Sequence, residues 1–405
     1  MLNTTFAPWP SFTEEEVNAV SDVLRSNRVN YWTGEECRHF EREFAEWSQS
    51  AYAIALANGT VALDLALHGL GIGAANGGSP TDEVIVTPRT FLASVSCVVN
   101  AGAVPVFADV ERDSGNISAA TIAPHLTDRT RAVIVVHLAG WPADMNPIMA
   151  LAEPRGIKVI EDCAQAHGAL YKGRSVGSIG HVGAWSFCQD KIMTTGGEGG
   201  MVTTNDTDLW SRMWSFKDHG KSWEAVYERS HPPGFRWVHE SFGTNWRMME
   251  VQAAIGRIQL RRMEEWTRSR SRNAEIIRNA LNPFAGGDGV IRLPDQCLGE
   301  DGSTHAYYKY YSYVRPENLP PSWSRDRIID QLVERGVPCF QGSCSEVYHE
   351  KAFNGTSWRP SVPLPVANEL GETSLMFLVH PTLTEGNLKH MAEVLAQLFE
   401  EIAGA

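Results

Sequence analysis

Apolar residues in the first half of the chain follow two alternating patterns. Short continuous apolar runs predict buried strands, whereas apolar residues that recur every three or four positions predict amphipathic helices. Strands are predicted at 51–56, 82–88, 104–110, 131–140 and 157–162, and helices at 61–71, 90–102 and 147–156. Repeated strand–helix–strand units whose strands are apolar on both faces are typical of a parallel sheet that is covered by helices on both sides.

The second half of the chain has a different pattern. A long helical stretch at 248–281, which we expect to bend, is suited to connect two domains. A loop rich in Gly, Pro and Asp (282–304) follows, and then a predicted strand at 306–314 and amphipathic helices at 324–336 and 387–402. These elements predict a second, smaller sheet that is covered by helices.

Length and charge narrow the class of protein. A chain of 405 residues, 43% of them hydrophobic, exceeds the usual size of a single compact core, so we expect two domains. The formal net charge of −13 argues against nucleic acid or an anionic membrane as a partner. An anionic small substrate would be repelled at long range, so its site must be made locally positive by arginines, a lysine or helix N-termini.

Cysteine usage and the absence of long apolar runs indicate the compartment. The seven cysteines are odd in number and no two have C-x-x-C spacing, which favours a reduced intracellular protein without a disulfide framework or a zinc site. Residues 1–20 contain an acidic stretch rather than the apolar core of a signal peptide, and no apolar run approaches membrane-spanning length. We therefore expect a soluble, cytoplasmic protein without a metal site.

The stretch ANGT (57–60) lies between a predicted strand and a predicted helix. Either Asn58 or Thr60 can cap the helix, and Gly59 allows another backbone to approach closely. The first amide groups of such a helix point outward and can bind an anion. Because caps of this kind are common, these residues by themselves indicate an ordinary helix start more than a phosphate site.

A second group of polar residues lies at and after the end of the predicted strand at 157–162. Asp162 is expected at a buried strand end, where a carboxylate is costly unless it pairs with a cation such as a protonated ring nitrogen or an arginine. Glu161 competes for this role, but side chains alternate along a strand, so only one of the two faces the pocket. Gln165 and His167 flank the same place, and for His167 we expect a structural role with its hydrogen bonds satisfied.

The third candidate is SFCQDKIMTTGGEGGM (186–201), in which Ser186 precedes Lys191 by five residues and a turn rich in threonine and glycine follows. A phosphate-binding P-loop requires its glycines before the lysine, whereas here they come after it, so the P-loop interpretation fails. A lysine amine that is held on a tight turn, near a helix N-terminus and a buried acid, is suited to form a Schiff base.

Taken in order, these motifs resemble one known family. The chain is similar to the nucleotide-sugar aminotransferases of the DegT/StrS family, pyridoxal 5'-phosphate (PLP) enzymes with the aspartate aminotransferase fold, or fold type I. The resemblance covers nearly the whole chain and is carried by the blocks ANGTVALDLAL, DEVIVTPRTF, HLAGWPADM, VIEDCAQAHGA, WSFCQDKIMTTGGEGGMVTTND and GTNWRMMEVQAAIGRIQL.

This resemblance implies the fold class. An α/β fold is expected, in which a large PLP-binding domain has a mostly parallel, seven-stranded sheet between helices. A smaller α+β domain is expected to follow it. We place the N-terminal segment and the large domain at 1–265 and the smaller C-terminal domain at 266–405.

The resemblance also assigns roles to the candidate residues. It implies that Lys191 bonds covalently to PLP, that Asp162 pairs with the pyridine nitrogen, and that Gln165 lies near the phenolic oxygen. A protonated ring is the electron sink that lets the substrate lose a proton from carbon. Phe91 matches the aromatic that stacks on the ring, although its position alone favours a core phenylalanine at the start of a helix.

A phosphate site and a dimer are implied as well. The phosphate is expected to bind to Gly59, Thr60 and Ser186. Asn245 matches the asparagine that reaches the phosphate of the neighbouring subunit, which requires an active site at a twofold interface and therefore an obligate homodimer. From the residues alone, Asn245 can equally be the N-cap of the helix that follows it.

The implied reaction is a transamination in two half-reactions. L-Glutamate donates its amino group and leaves as 2-oxoglutarate, and a keto-sugar nucleotide then accepts the nitrogen, with Lys191 as the general base. Family members that deoxygenate sugars carry histidine at this position, so Lys191 favours transamination. The double glycine Gly196–Gly197 also occurs among enzymes that act on 4-keto-6-deoxyhexoses, which favours amination at C4.

Several alternatives stay open at this point. The acceptor can be a C3 keto-sugar or a cyclitol ketone such as an inosose, and the protein can be a PLP-binding regulator without turnover. The last is disfavoured because a protein that only binds PLP need not keep both a base and an electron sink, here Lys191 and Asp162. Trp32, in NYWTGEE (30–36), can contact a base or sugar or lie in a subunit interface.

Overall fold

The computed structural model of the chain describes residues 6–295 and 301–404, so Cys297 and part of the predicted loop 282–304 lie outside the described residues. Within them the strands are β1 (Tyr52–Leu56), β2 (Glu83–Val86), β3 (Val104–Phe107), β4 (Thr130–Val136), β5 (Lys158–Asp162), β6 (Leu170–Tyr171), β7 (Arg174–Ser175), β8 (Val182–Ser186), β9 (Gly200–Thr204), β10 (Ile291–Arg292), β11 (Tyr310–Val314), β12 (Cys339–Phe340) and β13 (Ser374–Phe377). The α-helices are α1 (Glu14–Ser26), α2 (Glu36–Trp47), α3 (Gly59–Leu70), α4 (Ala93–Asn100), α5 (Ala119–Ile122), α6 (Met145–Ala152), α7 (Thr207–Lys217), α8 (Trp223–Tyr227), α9 (Glu250–Leu281), α10 (Arg325–Glu334), α11 (Pro365–Thr373) and α12 (Glu385–Ala403).

Seven strands form one mixed, mostly parallel sheet in the order β1-β9-β8-β5-β4-β2-β3. Strand β9 runs antiparallel to both of its neighbours, and the other strands are parallel to one another. The predicted seven-stranded sheet is therefore confirmed. The strand predicted at 131–140 ends earlier, at Val136, because Leu138–Gly140 forms a 3-10 turn in which Ala139 has a φ of 56°.

The strands of this sheet are buried on both faces, as their continuous apolar runs predict. In β2, Val84 and Val86 belong to the hydrophobic cluster on one face, and Ile85 belongs to the cluster on the other. Helices α3 and α7 pack against the first face, and α6 packs against the second. Because side chains alternate along a strand, burial on both faces makes most positions apolar, and Arg131 of β4 is an exposed exception.

A smaller antiparallel sheet has the order β10-β11-β13-β12, and α10 and α12 pack on it. Leu332, Phe377 and Leu395 belong to a separate hydrophobic cluster between this sheet and its helices. The strand predicted at 306–314 begins only at Tyr310, because Tyr307 has a φ of 46°, outside the extended region.

Helix α9 links the two hydrophobic clusters. It is continuous over its 32 residues, and it packs against α1, α2 and α12. Ala253 and Leu260 lie in the core of the large sheet, whereas Ile277 and Leu281 lie in the core of the small one. The predicted boundary between residues 265 and 266 therefore falls inside a single helix. No helix within the described ranges combines the length and the apolar character that a membrane span requires.

The fold brings the three candidate motifs to one edge of the large sheet. Strands β5 and β8 are parallel neighbours, with Asp162 in register with Ala184, two residues before Ser186. At the end of β1, Leu56 lies opposite Gly200 of β9, so the start of α3 adjoins the glycine-rich loop. Ligands of parallel sheets bind outside the carboxyl ends of the strands, and this is the edge where all three motifs lie.

Candidate active site

An open cleft of about 1580 Å³ lies at the carboxyl edge of the large sheet. The ends of β5 and β8 and the start of α3 line it, together with the N-terminal segment around Trp9 and with Tyr308 and Lys309, which precede β11. Seven of the residues predicted for the site line this cleft: Gly59, Thr60, Phe91, Asp162, Gln165, Ser186 and Lys191. Asn245, which was also predicted, is not among the lining residues.

Asp162 is the buried acid of the cleft and is 6% exposed. One carboxylate oxygen accepts a hydrogen bond of 2.8 Å from the Ser94 hydroxyl, and the other accepts one of 3.1 Å from the backbone N–H of Ala164. Burial raises the pKa of Asp162, although these two donors and the Lys191 amine act in the opposite direction. A cation that binds beside this carboxylate would therefore stabilise its ionised form.

Glu161, the competing acid, does not line the cleft. Its oxygens accept one hydrogen bond of 3.0 Å from His137 and three of 2.6–2.8 Å from the backbone N–H groups of Gly177, Ile179 and Gly180. Burial opposes ionisation of Glu161, but the bonds from His137 and the backbone outweigh it and lower the pKa of the carboxyl. His137, Glu161 and Cys163 offer three possible metal-ligand atoms within 4.8 Å of one another. Because the Glu161 carboxylate is already saturated with hydrogen bonds, we interpret this cluster as structural.

Gln165 and His167 lie beyond the end of β5. The Gln165 side-chain oxygen accepts a hydrogen bond of 2.8 Å from the backbone N–H of Ala139, which leaves its amide group to donate toward the cleft. His167 is fully buried against Trp185 and Phe187, and neither ring nitrogen has a hydrogen-bond partner among the described residues. The predicted structural histidine is therefore buried as expected, but the prediction that its hydrogen bonds are satisfied is wrong.

Gly59 is the first residue of α3 and packs directly on Ser186. A Cβ at position 59 would lie 2.5 Å from the Ser186 Cβ and 2.9 Å from its Oγ, so only glycine fits there without displacing the serine. Asn58 is the N-cap, since its side chain accepts a hydrogen bond of 3.0 Å from the N–H of Val61. The first amide groups of α3 and the Ser186 hydroxyl thus converge beside Thr60, in an arrangement that fits a phosphate group.

Lys191 follows β8 in the glycine-rich segment and is held there by its backbone. The indole N–H of Trp9 donates a hydrogen bond of 2.8 Å to its carbonyl oxygen. The amine lies 4.0 Å from a carboxylate oxygen of Asp190 and 5.1 Å from the centre of the Tyr308 ring. The Tyr308 hydroxyl in turn donates a hydrogen bond to Asp190. The amine therefore lies in the cleft beside an aromatic ring and a carboxylate, and it donates a hydrogen bond to neither of them.

The glycines after Lys191 shape the turn, as predicted from their position. Gly196 and Gly197 have φ values of 83° and 114°, which other residues rarely adopt. Gly200 is required for a different reason, because a Cβ there would lie 2.3 Å from the carbonyl oxygen of Asn58. The glycine-rich segment can therefore turn sharply and pass close to the start of α3.

Phe91 is 72% exposed and lines the cleft. The expectation of a core phenylalanine is therefore wrong. It fails because the chain between β2 and α4 is not yet helical at this point, since α4 begins only at Ala93. An exposed ring beside a cleft that contains a buried acid is free to stack on a planar ligand.

Asn245 and Trp32 lie outside the cleft of their own chain. Asn245 is exposed and pairs through its backbone with Asp218. The N-cap expectation for Asn245 is wrong, because α9 begins at Glu250 and Met249 precedes it. Trp32 stacks on Tyr227, with ring centres 6.4 Å apart, and is part of an aromatic cluster that does not reach the cleft.

Several cleft residues were not predicted from the sequence. Ser94 is 68 residues from the acid that it contacts, and Trp9 is 182 residues from the carbonyl that it binds. No local pattern marks either contact. One sequence signal does mark Lys309. The chain has only eight lysines, and this one lies in an otherwise aromatic stretch.

These observations define a class of enzyme. A lysine amine, a buried carboxylate at a strand end and a phosphate-sized cradle at a helix N-terminus share one cleft at the carboxyl edge of a mostly parallel sheet. The phosphate-sized cradle is polar, and the contact between Gly59 and Ser186 limits its size. A neighbouring cation would stabilise the ionised form of Asp162. The residues therefore fit PLP, which has a phosphate group and a ring nitrogen that can be protonated. The class is that of the PLP-dependent transaminases.

Comparisons with known proteins identify the family. A sequence profile of the DegT/DnrJ/EryC1/StrS aminotransferase family matches residues 10–396, and the chain belongs to this family. An aminotransferase from Psychrobacter cryohalolentis, of known structure, is 62% identical; the match covers 98% of this chain and 99% of that one, with a TM-score of 0.95.

Two curated relatives have named reactions. GDP-perosamine synthase of Caulobacter vibrioides is 42% identical over 360 residues, which is 89% of each chain. The dTDP-3-amino-3,4,6-trideoxy-alpha-D-glucose transaminase of Streptomyces venezuelae is 33% identical over 98% of this chain and 95% of that protein. The predicted family, fold class and cofactor are thereby confirmed, and the protein is a PLP-dependent aminotransferase of this family.

Proposed function

We propose that the enzyme transfers the amino group of L-glutamate to C4 of a nucleotide-linked 4-keto-6-deoxyhexose. The observation that supports this most is that Lys191 and Asp162 share one cleft with the Gly59–Ser186 cradle. The 42% identity to a GDP-perosamine synthase supports a nucleotide-linked amino sugar as the product. The double glycine Gly196–Gly197, which also occurs among enzymes that act on 4-keto-6-deoxyhexoses, supports C4 as the carbon.

In this proposal the cofactor is held at its phosphate, its ring and its ring nitrogen by different elements. The amide groups of Gly59 and Thr60 and the hydroxyl of Ser186 bind the phosphate. Asp162 pairs with the ring nitrogen, which removes the unfavourable burial of an unpaired carboxylate. Bound PLP supplies an electron sink for negative charge that develops on carbon.

Two side chains orient the ring. Phe91 stacks on it from the exposed side of the cleft, which accounts for a phenylalanine that is 72% exposed. Gln165 donates its amide N–H toward the phenolic oxygen. Its own carbonyl oxygen is occupied by the N–H of Ala139, so the side chain is fixed with its donor facing the ligand.

The Lys191 amine carries the proton transfer. Lys191 would hold the cofactor covalently at rest, and its amine, when free, would act as the base that removes the proton from the α-carbon of L-glutamate. In the second half-reaction the same amine moves a proton in the opposite direction, onto the sugar carbon that receives nitrogen. The hydrogen bond from Trp9 to the Lys191 carbonyl fixes the backbone from which the lysine side chain extends during both steps.

A homodimer is part of this proposal, because Asn245 would act on the phosphate of the partner's site. Asn245 is exposed and outside the cleft of its own chain, which suits a role in a neighbouring subunit. The segment before it exposes three large aromatic side chains, Phe235, Trp237 and Phe242, at 75%, 81% and 100%. Exposed apolar groups at this density mark a protein interface, and a second copy of the chain is the partner that Asn245 requires.

The proposal is tested first on the cofactor and the donor. The purified protein should absorb in the visible, and borohydride should fix the cofactor to Lys191, as read by peptide mass spectrometry. Lys191→Ala should lose both signals, and retention of the band in that variant would refute the assignment. L-Glutamate should convert the visible band to the pyridoxamine form, with release of 2-oxoglutarate, and L-glutamine serves as the competing donor.

The acceptor is tested with a panel of keto-sugar nucleotides and mass detection of the amino product. Amination of a 4-keto-6-deoxyhexose at C4 is expected. The Streptomyces venezuelae relative, whose name specifies a 3-amino sugar, makes a C3 ketone the second candidate, and NMR of the product distinguishes the two carbons. Turnover of an inosose alone would refute the nucleotide-sugar acceptor, and cofactor binding without any turnover would favour a regulatory protein.

A further inference from the structure

The cleft contains few fixed positive charges. The acidic residues that line it are Asp162, Asp190, Glu198 and Glu350, and its lysines are Lys191 and Lys309. None of the described lining residues is an arginine, and His380 is the one lining histidine. Burial, with Arg270 and Lys309 nearby, lowers the pKa of His380 to about 3, so this side chain is neutral.

Lys309 has no carboxylate partner among the residues that the structure describes. Its amine lies 4.7 Å from the centre of the Tyr308 ring, on the same ring that the Lys191 amine approaches. Within residues 6–295 and 301–404, no carboxylate oxygen lies within 4.0 Å of it and no group hydrogen-bonds to it. Asp190, the nearby acid, accepts a hydrogen bond from the Tyr308 hydroxyl and lies 4.0 Å from the Lys191 amine.

Arg270 is a second cation near Lys309, and it has no carboxylate partner in the described part of the chain. Arg270 is fully buried and donates from one nitrogen to the backbone oxygens of Tyr307 and Tyr308. Its other two nitrogens have no hydrogen-bond partner in the described part of the chain. Burial, then the charges of Arg270 and Lys191, lowers the pKa of Lys309 to about 8, with only Asp190 acting in the other direction. Arg270 is fully buried and Lys309 is half-buried, and two such positive charges near each other are costly unless an anion pairs with them.

We propose that Lys309 is the anion-binding residue of the cleft, and that its ammonium receives an anionic oxygen of a substrate. The source of the oxygen is either a carboxylate of the amino-group donor or the phosphate of the sugar nucleotide, and both substrates rest on the function proposed above. The choice of residue follows by elimination among the lining groups. Lys191 is committed to the cofactor, the α3 N-terminus to its phosphate, and His380 is neutral, so Lys309 is the cation that remains among the described lining groups of one chain.

Direct binding measurements on the PLP-loaded protein test this role. Lys309→Met keeps the apolar stem and removes the charge, and Lys309→Arg restores a charge on a longer side chain. Lys389→Met is the matched control, since it removes the same charge from the surface of α12, where the side chain is 78% exposed. The probes are 2-oxoglutarate for the donor carboxylates, titrated against the pyridoxamine form, and GDP and dTDP for the nucleotide phosphate, each followed by calorimetry.

We expect Lys309→Met to raise the Kd of one class of probe at least tenfold, Lys309→Arg to return it to within about threefold of wild type, and Lys389→Met to leave it unchanged. The class that weakens identifies the source of the oxygen. In the wild type, added NaCl should weaken the same probe, because the contact is ionic.

Unchanged affinity of Lys309→Met for both classes would overturn the proposal, as would a wild-type protein that binds neither. If Lys309→Met does not fold, Lys309→Gln replaces it, and a wild-type Kd that is independent of salt for every probe overturns the proposal without any variant. Failure of the proposed function is recognised separately, by the absence of borohydride fixation at Lys191 or of spectral conversion by L-glutamate. Borohydride fixation does not involve residue 309, and both readouts are taken on the wild-type protein.

Discussion

The indole N–H of Trp9 donates a hydrogen bond of 2.8 Å to the backbone carbonyl of Lys191, 182 residues further along the chain. The Trp9 ring packs edge-on against Trp266 of α9, with ring centres 5.0 Å apart, and the Arg270 guanidinium lies 5.0 Å from its centre. The N-terminal segment thereby ties the lysine-bearing loop to the long helix. The position of the reactive amine is set by a residue outside both sheets.

Trp9→Phe should loosen the Lys191 loop without unfolding the protein. The substitution keeps an aromatic ring but removes the N–H donor, and an unpaired, partly buried carbonyl costs about 1–3 kcal/mol. We expect a lower Tm and a shift in the pH at which the visible band of the covalently bound cofactor titrates. Trp266→Phe is the control, because that indole N–H makes no hydrogen bond among the described residues; equal spectral titrations in both variants would contradict the role of Trp9.

Ser94→Ala should move the acid limb of the activity profile to higher pH. The Ser94 hydroxyl is the donor that most strongly opposes the rise in the pKa of Asp162 caused by burial, so its loss should raise that pKa further. Activity in our proposal requires the ionised carboxylate, and a hydrogen bond to a charged group is worth about 1.5–3 kcal/mol. We expect the acid limb of kcat/KM to rise by about one pH unit.

Ser96→Ala is the matched control for this change. Its hydroxyl lies on the same helix, α4, but donates to the backbone oxygen of Ala93 rather than to the acid. A profile of Ser94→Ala that coincides with those of the wild type and the control would show that the hydrogen bond does not set the ionisation of Asp162.

Gly59→Ala should weaken cofactor binding while the fold survives. A Cβ at this position would lie 2.5 Å from Ser186, so the serine hydroxyl must shift out of the cradle. We expect the Kd for PLP, measured by fluorescence quenching of the apo protein, to rise at least tenfold, which corresponds to about 1.4 kcal/mol. Gly286→Ala, where a Cβ meets nothing within 4 Å, is the control and should bind PLP as the wild type does.

His167→Phe should reduce the decrease in the free energy of unfolding that occurs as pH falls. Burial, then the charges of Lys191 and Arg270, lowers the pKa of His167 from 6.5 to about 3. A folded pKa below the unfolded one means that the unfolded chain binds a proton first, so stability is present above about pH 6.5 and is lost as pH falls toward 3.

The stability change of that variant is measurable by urea unfolding at pH 7 and pH 4.5. Over this interval the histidine contributes about 2–3 kcal/mol to the wild-type loss, at about 1.4 kcal/mol for each unit. The phenylalanine ring suits a site formed by Trp185 and Phe187 and cannot take up a proton. An equally large loss in His167→Phe would exclude this histidine as a source of acid sensitivity.

Asn245→Ala should complement Lys191→Ala in a mixed dimer. In our proposal each site uses Lys191 of one subunit and Asn245 of the other, so a dimer of the two variants contains one complete site. We expect each variant alone to be impaired and doubly tagged mixed dimers to regain up to about half of the wild-type activity per dimer. Mixed dimers that stay as impaired as their parents would place Asn245 outside the partner's site.

The local patterns predicted the large sheet well and the turns around it poorly. Each of the five strands predicted from the apolar runs is present, since burial on both faces leaves a short continuous apolar run in the sequence. Position alone favours a core placement for Phe91, because an aromatic at a helix start is usually buried, but α4 begins two residues later and the ring lies in the cleft. Asn245 was a reasonable N-cap by type, but α9 begins five residues further on.

The sequence by itself determined the chemical groups, because reaction type depends on residue identity at short spacing. Lys191 with its following glycines, Asp162 after an apolar strand, and Gly59 at a helix start are all readable within a few residues. Only the tertiary structure decided which acid faces the cleft, what fixes the lysine and which cation remains for an anionic substrate. Those answers depend on Ser94, Trp9 and Lys309, whose contacts join distant parts of the chain, and packing across such separations leaves no periodic signal.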